Sequence, residues 1–165
     1  MRRSRQIAFG GMFSALAAVL LWIGALSGLG TYAAPLAAGI ALTPVGMTLG
    51  KRYQWLSFAA VALLSCLISA DWEQNLMFSC LFGWYPIVQP ALNRLKKLLR
   101  FCTKLLIFNL ITIGIELLIM LVLIPQSEKT LILITLLVLG NLMFLVYDSA
   151  LPRMEFVLAR RLKLK

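Results

Sequence analysis

The chain has 165 residues, 61% hydrophobic and 13% charged, with a net charge of +10 and no histidine. This balance is too apolar for a soluble domain of that length. It leaves no basic soluble module to carry nucleic acid and no histidine-type metal site, and with only Cys66, Cys80 and Cys102 as soft ligands a thiolate site is not expected either.

The apolar runs predict an all-α, polytopic membrane protein, a bundle of six transmembrane helices forming one integral membrane domain over 1–165. The spans fall at about 6–28, 31–49, 53–70, 75–92, 105–124 and 130–150. Each covers roughly 18–23 residues, enough to cross a ~30 Å hydrocarbon layer. Charge supports the count independently. Fifteen of the sixteen lysines and arginines fall on one side of the six-span drawing: Arg2, Arg3 and Arg5; Lys51 and Arg52; Arg94 to Lys104; and Arg153 to Lys165. The other gaps hold only Lys129, with Asp71, Glu73 and Glu128. Basic residues are retained inside during insertion, so both termini are expected in the cytoplasm of a multi-pass protein of the cell membrane, a bacterial plasma membrane.

In chain order, span one begins behind a basic N-terminus. Its apolar stretch exceeds a signal-peptide core, and it is expected to stay uncleaved despite Ala25-Leu26-Ser27. Gly10, Ser14 and Ala18 recur every four positions beside Gly11 and Ala15, a small-residue strip that lets another helix approach, in this protein or in a partner. Span two carries Pro35, Gly39, Pro44 and Gly46, and is expected to be irregular and buried. The exterior loop Ala70 to Asn75 is the polar hot spot of the outside, where Trp72 reads first as an interfacial anchor and Asp71 and Glu73 as solvated. In span four, Gly83-Trp84-Tyr85-Pro86 predicts a kink at Tyr85, whose hydroxyl needs an interior partner.

Residues 93–104 and 151–165 read as amphipathic cytoplasmic segments lying in the interface. Span five holds Glu116 near its middle, with Asn109 and Thr112 on the same face. A carboxylate at that depth is costly and marks a ligand contact, a proton site, or a neutral acid bonded to another helix. In span six, Asn141 needs an interhelical partner, and Asp148 is expected to pair with Arg153 or with basic residues of neighbouring loops.

Six spans, both ends inside, the small strip of span one and a polar exterior loop together resemble the S components of energy-coupling factor transporters. In that family an alanine-rich small-xxx-small pattern on the first helix meets a transmembrane coupling subunit. Gly10, Gly11, Ser14, Ala15 and Ala18 occupy that region here, with glycine and serine replacing part of the alanine pattern. The resemblance implies an outward-opening site closed by exterior loops, positions that Gly28 to Tyr32 and Asp71 to Asn75 would fill.

The expected function is a substrate-binding membrane subunit for a vitamin-like small molecule. The chain has no phosphate-binding loop, so the ATPases and coupling subunit would be other chains. The alternative is a non-transport scaffold of the cell envelope, resembling the six-span shape-determining proteins. No enzyme, cofactor or metal is expected, because no carboxylate pair or histidine is available for catalysis. The expected ligand contacts are Glu116, Asn109, Thr112, Tyr32, Trp72, Glu73, Asn75 and Tyr85. Membrane lipids complete the set of partners.

Overall fold

The computed structural model describes residues 3–27, 32–69, 71–123 and 129–161, and the side chains within them except at 3, 120–123, 129–136 and 161. The chain is all-α. Its elements are α1 (Arg3–Ser27), α2 (Ala33–Leu49), α3 (Lys51–Ile68), α4 (Trp72–Met77), a π-helical turn (Phe78–Phe82), α5 (Tyr85–Leu92), α6 (Lys97–Leu123) and α7 (Lys129–Arg161). Two stretches, Ser4–Ser27 and Lys97–Ile119, are long and apolar enough to cross a membrane, and Ala33–Leu49 is a shorter apolar helix.

The hub is α2, which touches α1, α3, α4, the π turn, α5 and α7. Its small residues explain why. Ala34, Ala38 and Gly39 are buried, and a Cβ on Gly24 of α1 would overlap the Cβ of Ala34, so α1 and α2 meet almost backbone to backbone. The expectation that prolines make this segment irregular is corrected: α2 is continuous. Pro35 lies in the first turn, where an amide hydrogen would have no helical partner. Pro44 is interior but buried among neighbours that hold the helix. The α2–α3 corner turns on Gly50, whose φ of +96° suits a residue without a side chain.

The expected break in span four is present, with an identifiable cause. Asp71 caps α4 by accepting from the Gln74 amide at 3.1 Å. The helix then widens, and the Gly83 amide reaches back five residues to the Phe78 carbonyl at 2.8 Å. Pro86 has no amide hydrogen to offer the Phe82 carbonyl four residues earlier. The Tyr147 hydroxyl of α7 donates to that carbonyl instead, at 3.2 Å. Around this bond pack Phe82, Tyr85, Phe108, Phe144 and Tyr147, with Phe108 and Phe144 stacked at 4.6 Å. A second core joins Ala17, Leu21, Ala38, Leu42, Val61 and Phe78.

Two expected boundaries shift. Residues 97–104 are the first turns of α6, and residues 151–161 continue α7 through Pro152, so neither is a separate interfacial helix. Backbone hydrogen bonding propagates past the point where side chains become charged. Large apolar side chains stay exposed along the outer faces, among them Ile7, Leu16, Trp22, Leu67, Leu110 and Leu142. Residues 28–31, 70 and 124–128, with Arg2, Lys163 and Lys165, lie outside the described residues.

Candidate functional site: two buried polar clusters

The first cluster joins α2, α4 and α6. Glu116 is 7% exposed, and its Oε1 accepts from the Tyr32 hydroxyl at 3.1 Å. Tyr32 immediately precedes α2 and Glu116 lies in the second half of α6, so their contact bridges 84 positions of sequence. Glu73, on the first turn of α4, stands close enough for its charge to act on both. Burial, with the Glu116 and Asp71 carboxylates nearby, pushes the Glu73 carboxyl up to about 7. Thr112, one turn before Glu116 on the same face, is fully buried, and its hydroxyl has no partner among the described residues.

Neighbouring polar groups of α4 are tied to backbone. The Asn75 amide donates to the Ser69 carbonyl at 3.2 Å and the Gln74 amide to the Leu21 carbonyl at 2.7 Å. Their carbonyl oxygens are buried without partners among the described residues. Trp72 is 63% exposed at the edge of the cluster. Of the eight expected contacts, Tyr32, Glu73, Thr112 and Glu116 thus come together, while Asn75 and Trp72 flank them on α4.

Asn109 and Tyr85 lie elsewhere. Asn109 shares a face of α6 with Thr112 and Glu116, but its amide exchanges two hydrogen bonds with Asn141 of α7, at 3.0 and 2.7 Å. Asn141 therefore has its interhelical partner, and the expected Asn109–Thr112–Glu116 network is divided. Tyr85 belongs to the second cluster, which centres on Asp148 of α7. The Tyr85 hydroxyl donates to Asp148 Oδ1 at 2.6 Å, and Gln89 Nε2 donates to the same oxygen at 2.7 Å. Lys104 Nζ reaches Oδ1 and Oδ2 at 2.7 and 2.8 Å, and Asn93 Oδ1 at 2.7 Å. Lys104, not Arg153, is the partner of Asp148, and it is only 5% exposed.

Lys104 is among the basic residues of neighbouring loops expected beside Asp148, whereas Gln89 was not legible as a site residue. The one available signal for Gln89 is its helical spacing, four residues after Tyr85 on α5. The α1 strip divides by exposure: Gly11 and Ala15 are exposed, whereas Gly10, Ser14 and Ala18 are half-buried. The buried face of α1 is Ala17, Leu21 and Gly24.

The first cluster has a pH signature. The Glu73 carboxyl has its ordinary value of 4.5 when unfolded and about 7 when folded. Between those values the unfolded chain has lost a proton that the folded chain keeps, so stability falls as pH rises through that window. Thermal unfolding in detergent should therefore give a lower Tm at pH 8 than at pH 5, and Glu73→Gln should shrink the difference. An unchanged difference would remove Glu73 as its source.

No group of three or more metal-ligating side chains occurs among the described residues. Compared with known proteins, the chain matches no family model, no curated protein and no solved structure.

Proposed function

We propose that this chain is a six-span membrane protein with cytoplasmic termini, acting as the substrate-binding subunit of an uptake system whose coupling subunit and ATPases are separate chains. The observation that carries the reading is the Tyr32–Glu116 contact with Glu73 and Thr112 around it. Buried ionisable groups in such an apolar bundle are costly and are retained where they bind something. Two carboxylates, a phenol and an unpartnered hydroxyl favour a small ligand that donates hydrogen bonds.

Glu116→Gln and Glu116→Leu test it. Glutamine keeps shape and hydrogen bonding, so it should preserve the fold and weaken retention of the co-purifying small molecule, read by mass spectrometry of the detergent-purified protein. Leucine leaves the Tyr32 hydroxyl without its acceptor, at a cost of roughly 1–3 kcal/mol. Equal stability and equal ligand retention in Glu116→Leu would sink the site.

The partner surface rests on a different observation, which serves the coupling subunit of this reading and the cell-envelope partner of a scaffold role alike. Nothing lies within 4 Å of a Cβ placed on Gly11, so an exposed strip with Ala15 is open to a partner helix. Ala15→Leu should release that partner from co-purification without lowering Tm; a full complement of partners would show the strip to be idle. The orientation is tested separately by cysteine labelling in a background without Cys66, Cys80 and Cys102. Positions 73 and 128 should label from outside and positions 97 and 163 from inside. Outside labelling at 97 would overturn the six-span arrangement.

A further inference from the structure

Beside the second cluster is a cavity of about 440 Å³, lined by Lys97, Leu98, Arg100, Phe101, Lys104 and Asp148. Its volume falls within the range of small-molecule sites. Lys97, Arg100 and Lys104 are spaced three and four residues apart, so the first turns of α6 turn three cations to one face. Among the described residues only Lys104 has an ion-pair partner. The Lys104 amino group gives hydrogen bonds to Asn93 Oδ1 and to both Asp148 oxygens, and the same carboxylate also accepts from Tyr85 and Gln89. Lys97 and Arg100 have no ion-pair or side-chain hydrogen-bond partner among the described residues, although like charges so close repel. Leu98 and Phe101, 78% and 50% exposed, make the same cavity apolar on its remaining side.

We infer that this cavity binds a phosphate group, with Lys97 and Arg100 as its donors, and that the Leu98 and Phe101 wall suits a phosphate carried on a hydrocarbon body. An arginine fork matches phosphate oxygens, and the adjoining lysine adds charge. The buried Lys104–Asp148 pair sets the floor and holds α6 against α7, so the site is built into the helix pair and is not a loose surface patch. An anionic phospholipid and a soluble phosphate share this chemistry. A phospholipid source rests on the membrane reading, whereas the cavity and its charges do not, and nothing here depends on the Glu116 cluster.

Thermal unfolding of the full chain in detergent tests the site, with three probes: phosphatidylglycerol, diacylglycerol of the same chains, and inorganic phosphate. Phosphatidylglycerol should raise Tm saturably, and diacylglycerol, which lacks the phosphate, should not. Lys97→Gln/Arg100→Gln should raise the half-saturating lipid concentration at least about tenfold. Arg94→Gln/Lys96→Gln removes the same charge from outside the cavity and should leave it unchanged. A response to inorganic phosphate that is lost in Lys97→Gln/Arg100→Gln upholds the site with a soluble source; silence there alongside the lipid response assigns it to lipid. The proposal is overturned if neither phosphate probe acts, if diacylglycerol acts equally, or if the two double variants respond alike.

Discussion

Replacing Asp148 with alanine is expected to destabilise the fold by about 3 kcal/mol, the low end for breaking a buried ion pair. The low end applies because the Asp148 side chain retains 23% of its exposure while that of Lys104 retains 6%. The loss is not mainly the attraction itself. Without the carboxylate, the buried Lys104 ammonium keeps only Asn93, the Tyr85 hydroxyl loses its acceptor, and the Gln89 amide is left with the residue 148 backbone carbonyl alone. Asp148→Asn should fall between the two, since an amide accepts some of these bonds but does not neutralise Lys104. Lys104→Met/Asp148→Leu removes both charges and should recover more than half of the loss. Equilibrium unfolding of all four proteins in one detergent compares these losses. If Asp148→Ala lies within 1 kcal/mol of wild type, the pair does not join α5, α6 and α7 as described.

Gly39→Ala should cost roughly 2 kcal/mol although alanine is the better helix former. Exchanging a mid-helix glycine for alanine gains at most about 1 kcal/mol of propensity. Against that, a Cβ on Gly39 would overlap the Phe82 carbonyl oxygen and lie 2.6 Å from the Tyr147 hydroxyl, the two partners of the bond that stands in for Pro86. Backbone cannot step aside as the end of a long side chain can. Moving it overpacks the core, at roughly 1–3 kcal/mol, and strains a hydrogen bond whose loss leaves a buried carbonyl unpaired, at about 1–3 kcal/mol. Gly39→Leu should not fold. Gly114→Ala is the control: among the described residues nothing lies within 4 Å of its added Cβ, so propensity applies and the change should be neutral or slightly stabilising. Should Gly39→Ala unfold at the same temperature as Gly114→Ala, the close approach of α2 to the π turn is wrong.

The sequence by itself determined the all-α class and most of the helix limits, because long apolar runs and the proline and glycine signals are local properties of the chain. The expected 31–49 and 75–92 segments sit close to α2 and to the α4–α5 stretch, and Pro86 marks the break before Tyr85. It also singled out Glu116, Tyr85, Asn141 and Asp148 as polar groups in need of partners, since burial of a polar side chain can be read from the apolar residues around it. Their partners were decided only by the tertiary structure. Asn109, Thr112 and Glu116 share one face of α6, yet the first meets Asn141, the second has no partner among the described residues, and the third meets Tyr32. The difference lies in what faces α6 at each depth: α7 beside Asn109, and the start of α2 with α4 beside Glu116. Helical spacing places side chains on a face of their own helix, but the rotation and height of the facing helix depend on how every other element packs. The continuity of α2 through Pro44, and the extension of α6 and α7 into charged sequence, have the same origin: neighbours and backbone hydrogen bonds hold a helix where local preference alone would end it.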